Sequence, residues 1–391
     1  MLIYNINDEI FNTQRVGWNN IINTMINQLK ENNYYYNNIK NKNIIIIDYV
    51  DKYFNLWLDM EKKIIYNDKI YYYLNKDAYY YIKDNCKEDV FVIKNDSSIF
   101  ECIKWYSEYN EFKLLRGVIE TDIIKKYNIL DINSEWIGII HYPEFTKDMN
   151  YNSDEEFINI IKNKRFIDSL KYCKCLITLS DWLNKYIKNI LEYNGIKNIK
   201  VHTIYHPTDF NCEKFSLQNY INNDNKSIIQ LGFWMRKYKT IYQINKKKIN
   251  KKWFPGNPMW KELFYKIYND ENYINNNDVE IIMNMTNEKY DSYLIKNIAL
   301  VDVFNSSANN SILECIVRNT PIFVSKHPAI IEYLGKNYPL YFDTVSDINN
   351  IIDGPYFLNR ISCAHNYLCT LDKSKFDISY FTLCMFNILS I

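Results

Sequence analysis

An excess of charge of either sign is missing from this chain: 47 Lys and Arg stand against 46 Asp and Glu, for a formal net charge of +1. A dedicated nucleic-acid binder holds phosphates through a broad cationic footprint, so no nucleic-acid partner is expected. Long apolar runs are missing too. No stretch approaches the roughly 18 residues of a membrane span, which points to a soluble chain or one peripheral to a membrane. Glycine and proline are scarce, 8 of each in 391 residues, so each carries more positional weight than usual. The nine cysteines are odd in number, form no CxxC pair, and follow no secretory signal. Free thiols in a reducing, cytoplasmic setting are the expectation. Cys173 and Cys175 alternate along an apolar run and read as core rather than as metal ligands.

What is present is enough for two cores. The chain weighs 47.3 kDa, more than one hydrophobic core usually organises, and 47% of its residues are hydrophobic. Its 36 tyrosines and abundant Asn, Ile and Lys carry the imprint of an AT-rich genome, so Asn and Lys runs are discounted as functional signals. Strands alternate with helices. Leu2 to Ile6 and Asn43 to Asp48 read as strands, with a helix from Gly17 to Lys30 between them whose apolar residues recur at i, i+3, i+4 and i+7. Gly17, at the handover from strand to helix, permits either a tight turn or close ligand approach. Residues 52–81 resist parsing. Val90 to Ile93 reads as a strand and Ile99 to Tyr109 as a helix. Glu135 to His141 is a buried strand, Phe157 to Tyr172 a helix, and Cys175 to Leu179 a strand. Ser180 caps a helix that Gly195 ends, and Val201 to Tyr205 closes the first set. Thr208 to Lys226 is polar and aperiodic, a linker by its composition. A second set begins at Ser227 to Gly232 and continues at Val279 to Met283. Lys246 to Lys252 (KKKINKK) reads as a solvated loop, with a contact to an anionic membrane surface as the alternative. The apolar positions from Phe376 to Leu389 form a terminal helix in need of a surface to cover.

The second set ends in the most informative stretch. After the apolar run Val301 to Phe304, the cluster Asn305 to Ser311 breaks the strand and offers helix caps. A helix carries Ile312, Cys315 and Ile316 and closes at Arg318 and Asn319; Pro321 to Ser325 is a strand, Pro328 to Leu334 a helix with Gly335 at its stop, and Pro339 to Phe342 a strand. Such α/β units make parallel sheets, which bind ligands beyond the carboxyl ends of their strands. Amides at the start of the first helix would face an anion, and Glu314, one turn in, could accept from a vicinal diol. Phosphate at a helix tip and ribose at a carboxylate suggest a nucleotide; the alternative is a cap beside a solvated carboxylate.

The segments SIIQLGFWMRKYKTIY, NSSANNSILECIVRNTPIFV and HPAIIEYLG together resemble the nucleotide-binding domain of GT-B glycosyltransferases of the retaining group 1 type. EWIGIIH and CLITLSDWLNKYI resemble that family's acceptor-domain strands, and VHTIYHPTDF its hinge. The resemblance implies an α/β chain of two tandem Rossmann-like domains facing each other across a cleft: an acceptor domain over residues 1–207, a donor domain over 208–365, and a helix over 366–391 crossing back to the first domain. It implies transfer of a sugar from a nucleotide-sugar donor to a hydroxyl of a glycan, protein or lipid acceptor, with retention of configuration. Gly17, Gly232, Ser307, Asn309, Asn310, Ser311 and Glu314 would bind the donor, Glu314 through the ribose. Arg236 and Lys239 would hold the diphosphate, and His141 would contact the donor sugar or orient the acceptor, or else serve as a structural hydrogen-bonder. No Asp-x-Asp pair occurs in the chain, which favours transfer without a metal or other cofactor. Two positions depart from the family pattern: Ser306 stands where the first Glu of E-x7-E belongs, and Phe233 follows Gly232 where Arg belongs. They keep two other readings open, a degenerate fold acting as a binding module and a sugar-nucleotide epimerase. His206 and His327, each before proline, read as turn residues, and Glu332 as a surface or capping carboxylate.

Overall fold

The computed structural model describes residues 2–4, 24–25, 45–47, 50, 63–66, 69–74, 117–120, 135–145, 156–245, 249–256, 278–283 and 285–390. Among them the strands form three sheets. The first is all parallel, in the order β1 (Leu2–Tyr4), β2 (Ile45–Ile47), β6 (Trp136–Ile140), β7 (Cys173–Thr178), β8 (Lys200–Thr203). The tyrosine-rich stretch that periodicity cannot parse contributes β3 (Lys63–Tyr66) and β4 (Lys69–Leu74) to a separate antiparallel sheet completed by β5 (Gly117–Glu120). The third sheet is again parallel, in the order β11 (Val279–Ile281), β10 (Asn250–Phe254), β9 (Ser227–Leu231), β12 (Ile298–Val301), β13 (Ile322–Ser325), β14 (Tyr341–Phe342). Its first strand in sequence, β9, lies between β10 and β12, so the strand order reverses there and leaves a crevice beyond the carboxyl ends of β9 and β12.

The helices follow from the same local chemistry. The single helix expected over Phe157 to Tyr172 is instead α1 (Phe157–Ile160), α2 (Lys164–Ser169) and a 3-10 turn. Asn163 breaks it, because its side chain accepts from Arg165 N at 2.9 Å and starts a new helix. Helix α3 (Asp181–Tyr193) begins at Ser180, whose hydroxyl accepts from Leu183 N, and ends before Gly195 at φ 75°. The supposed linker contains α4 (Leu217–Ile221) and sends Phe215 and Tyr220 into the second core, with Phe215 N donating to Arg318 O at 2.7 Å. Its polar surface hid two buried rings. Further on lie α5 (Asn287–Leu294), α6 (Asn310–Arg318), α7 (Pro328–Leu334), α8 (Val345–Asp353), α9 (Phe357–Thr370) and α10 (Ile378–Ser390).

The basic run is not a solvated loop where it is described. Residues 249–256 belong mostly to β10, where Lys251 is buried and donates to Ile244 O at 2.9 Å, and Lys252 pairs with Glu280 across to β11. Two carbonyls, of Ile244 and Tyr242, receive the Lys251 ammonium, and that is what makes its burial tolerable. Residues 246–248 lie outside the described residues, as do Gly17, the strand expected at Val90 to Ile93 and the helix expected at Ile99 to Tyr109.

The tail divides at Asp377. Phe376 sits in a 3-10 turn and stacks on Tyr333 at 5.1 Å in the second core, whereas Phe381 and Met385 of α10 pack with Met25, Ile137, Ile139, Cys175 and Ile177 of the first. The terminal helix thus returns to the first sheet. Burial pushes the Cys175 thiol up to about 12, so it stays a neutral core side chain. Among the described residues no helix is long and apolar enough to cross a membrane.

Candidate functional site

The crevice at the reversal of the third sheet is built by two strand ends. After β9 the chain turns at Gly232, with φ 77°, a conformation that costs other residues energy and lets the backbone bend sharply at the sheet edge. The turn brings Arg236 back over it: a Cβ on Gly232 would lie 3.6 Å from Arg236 Nε. After β12, Asp302 accepts from Thr240 Oγ1 at 2.7 Å and from Lys237 N through its carbonyl at 2.8 Å, and Val303 bridges to Arg236. These bonds hold the 236–240 segment against the start of the 305–311 loop. Asp302 sits at an ordinary strand end, a position that carries no sequence signal of this role.

Asn309 caps α6, its Oδ1 accepting from Ile312 N at 3.2 Å. The same oxygen accepts from Arg236 Nη2 at 2.9 Å, so one carboxamide ties the helix tip to the guanidinium. Its Nδ2, in a residue only 6% exposed, has no hydrogen-bond partner among the described residues. Asn310 and Ser311, half-buried, form the first turn beyond it. Orphan amides, a guanidinium and an unpaired amide donor thus converge on one helix start, an arrangement suited to an anion. Lys239 lies nearby in sequence on a 3-10 turn, Tyr238–Gln243, and is half-buried. Lys237, not singled out as a site residue from the sequence, pairs instead with Asp302 at 3.8 Å.

Glu314 is buried one turn into α6 and accepts from Tyr290 Oη at 2.9 Å. Ser306, at the position of the family's first Glu, is buried and its backbone N–H donates to Asn305 Oδ1 at 2.7 Å.

The first sheet closes over this edge. His141, Tyr142 and Phe145 follow β6; the Ser307 hydroxyl donates to His141 O and Asn305 Nδ2 donates to Glu144 O at 2.8 Å. Trp234 meets Tyr142 at 5.0 Å and Phe145 at 6.4 Å, ring to ring. Glu156 anchors the segment by accepting from Phe145 N, and burial pushes its carboxyl up against the pull of that bond. The structure therefore brings His141, Ser307, Asn309 and Arg236 to one place, with Gly232 beneath, and puts Glu314 on the same helix. Asn305 belongs to the polar cluster the sequence marks at this edge, whereas nothing in the sequence singles out Trp234.

A second crossing lies by the hinge. Glu332, on α7, accepts from the amides of Asp181 and Trp182 at 2.7 and 2.8 Å, capping α3 of the other half. Tyr333 Oη donates to Leu179 O at 2.5 Å, and His206 N donates to the Tyr333 hydroxyl at 3.2 Å. His206 is buried with Nδ1 on Pro207 O at 2.7 Å; desolvation, with the nearby His141, lowers its pKa to about 3. His327 caps α7 through Ala329 N.

This arrangement can be set beside known structures. HepE from Anabaena, solved in complex with UDP-glucose, matches with a TM-score of 0.51 at 10% identity, over 69% of this chain and 75% of that one. The same protein solved with UDP and glucose matches equally, at 0.51 and 10% over 69% and 74%. The fold is GT-B. Sucrose-phosphate synthase from Thermosynechococcus elongatus gives a TM-score of 0.49 at 11% identity, over 67% of this chain and 69% of that one. No protein-family model and no curated protein matches the chain. The GT-B fold accounts for the two parallel sheets, the cleft between them and the helix that returns to the first sheet, as the sequence resemblance implied.

Proposed function

We propose that this chain is a glycosyltransferase that moves a sugar from a nucleotide-sugar donor to a hydroxyl acceptor. One observation carries the reading: Arg236 and the capped start of α6 share Asn309 at the strand-order reversal of a GT-B sheet. Transfer leaves negative charge on the departing diphosphate, and fixed donors at that point stabilise it more than they stabilise the ground state. In this reading Arg236, Lys239 and the amides near Asn309 to Ser311 hold the diphosphate, with Ser307 and Gly232 giving close approach, and Glu314 receives the ribose. The positive charge at the phosphates comes from these protein groups, so transfer proceeds without a metal ion. His141, at the facing strand end, orients the acceptor or the sugar. A glycan, protein or lipid hydroxyl would be the acceptor, the setting cytoplasmic, and any membrane contact peripheral. HepE, which shares the fold, binds UDP-glucose, and that supports a nucleotide-sugar donor here.

Ser306 favours a second reading, a binding module that keeps the nucleotide and has lost the transfer, since the carboxylate expected beside the donor sugar is replaced by a hydroxyl. Calorimetry against UDP, GDP and ADP, followed by product analysis with a panel of nucleotide sugars, separates the two. Binding with release of free or transferred sugar supports the enzyme. Binding alone supports the module, and no nucleoside diphosphate binding removes both.

A further inference from the structure

We infer that Tyr290 is the positioning residue that fixes the carboxylate of Glu314 for a ribose diol; the inference rests on the reading of Glu314 given above. Tyr290 lies on α5, and its hydroxyl donates to Glu314 Oε2 at 2.9 Å. Its neighbour Asp291 holds the same partner helix one turn further on, pairing with Arg318 Nη2 at 2.7 Å, while Arg318 Nη1 donates to Glu314 O at 3.2 Å. Two adjacent residues of α5 therefore grip Glu314 and Arg318, which stand four apart on α6 and so share a face. One grip is a part-buried ion pair; the other is the neutral Tyr290 hydroxyl on the group that would meet the ligand.

Tyr290 belongs to the site edge rather than to the helix backs. Its ring lies 6.0 Å from that of Phe254, the last residue of β10, whose carbonyl accepts from Gly232 N at 2.8 Å. The chain of contacts runs from the Gly232 turn through Phe254 and Tyr290 to Glu314. Along α6, Glu314 stands five residues beyond Asn309, about 7.5 Å at 1.5 Å per residue, the span a nucleotide needs from phosphate to sugar hydroxyls. A carboxylate that must accept two hydroxyls at once needs its plane fixed beforehand, because an unfixed one loses rotamer entropy on binding. The Tyr290 hydroxyl restrains one oxygen without adding charge. It thereby sets how strictly the site demands a diol.

The test reads selectivity for the ribose, not overall stability. With the full chain, calorimetry against UDP, GDP and ADP selects the tightest ligand, which is then compared with its 2′-deoxy and 3′-deoxy forms. The wild type is expected to prefer the ribonucleotide by roughly tenfold or more over at least one of them, the value of a hydrogen bond to a charged group. Tyr290→Phe removes only the hydroxyl from a half-buried ring, and should shrink that preference to within about threefold. Asp291→Asn, which loosens the same pair of helices without touching the Glu314 carboxylate, should lower the melting temperature and leave the preference intact. A Tyr290→Phe protein that keeps the full preference overturns this inference while leaving Glu314 as the ribose carboxylate. An equal loss in Asp291→Asn also overturns it, since helix packing alone would then set the selectivity. A wild type that binds nucleotide without regard to the ribose hydroxyls overturns the role of Glu314 and this inference together. A wild type that binds no nucleoside diphosphate overturns the proposed function itself.

Discussion

Among the described residues, the two halves of the chain are hydrogen-bonded to each other by the hinge and at the strand edges, and these two crossings are built oppositely. By the hinge, polar groups satisfy one another across the gap. Both oxygens of Glu332 are taken by the amides of Asp181 and Trp182, Tyr333 links Leu179 to His206, and Lys375 donates to Glu332 O at 2.7 Å while lying over the ring of Tyr205. At the carboxyl edges of the strands the crossing instead uses carbonyls and rings, through Ser307 to His141 O and Trp234 to Tyr142, and keeps Arg236 and Asn309 for the interior. The Nδ2 of Asn309 is buried there with no hydrogen-bond partner among the described residues. A buried donor without a partner costs about 1–3 kcal/mol, and a fold tolerates that where a ligand supplies the partner. On the function proposed above, the hinge crossing is the one expected to resist change and the strand-edge crossing the one expected to respond to a ligand.

The largest expected effect belongs to the hinge. The buried His206 has its pKa lowered from 6.5 to about 3, first by desolvation and then by His141. Its unfolded form binds a proton that the folded form refuses, so stability is fully present above pH 6.5 and is lost as pH falls toward 3. The integrated loss is on the order of a few kcal/mol. Melting temperatures measured from pH 7 to pH 4 should drop steeply, and His206→Gln should flatten the slope even where it lowers the plateau. Nucleotide affinity at pH 7 should not follow. If His206→Gln leaves the acid slope unchanged, the hinge crossing is not the acid-sensitive element.

Next comes the strand edge. Arg236→Ala removes the guanidinium from Asn309 and from the proposed diphosphate position. Hydrogen bonds to a charged group contribute about 1.5–3 kcal/mol, so calorimetry should show nucleoside diphosphate affinity weakened roughly tenfold to a hundredfold. The melting temperature without ligand should move little, because Arg236 is half-buried at a crevice and not in a core. A variant that melts much earlier and binds normally would reverse the contrast between the crossings.

How far the sequence shows this contrast depends on what kind of signal each element leaves. Parallel strands buried on both faces write themselves as apolar runs, so β6, β7, β9 and β13 were legible. Helix ends marked by Ser180, Asn309, Asn319 and Gly335 are legible as well: the first two carry side chains that cap orphan amides, and the last two sit at a positive φ that few residues adopt. Asn309 was visible as a cap, but its bond to Arg236 spans 73 residues and leaves no local trace. Lys251 was misread because a lysine surrounded by lysines looks solvated, and only the Tyr242 and Ile244 carbonyls explain its burial. Tyr290 was hidden among 36 tyrosines. The antiparallel sheet escaped because its strands carry no clear alternation of apolar and polar residues. Long-range pairing, not propensity, is what the linear pattern omits.

The smallest expected effect tests the hinge crossing at its most exposed point. Helix α3 begins with three amides that its own turns cannot satisfy. Ser180 takes that of Leu183, and the two oxygens of Glu332 take those of Asp181 and Trp182, so the cap is completed from the other half of the molecule. Desolvation raises the Glu332 carboxyl, and the two amide bonds pull it back down. Glu332→Gln keeps the shape but offers one acceptor oxygen, and its NH2 would face an N–H. One of the two amides must then turn to water. Hydrogen exchange at Asp181 and Trp182 should speed up by about fivefold, near 1 kcal/mol, while Leu183 keeps its protection and nucleotide affinity stays at the wild-type value. Unchanged exchange at both amides would mean that Glu332 merely touches α3, and the division between a fixed crossing and a responsive one would then rest on Tyr333 and His206 alone.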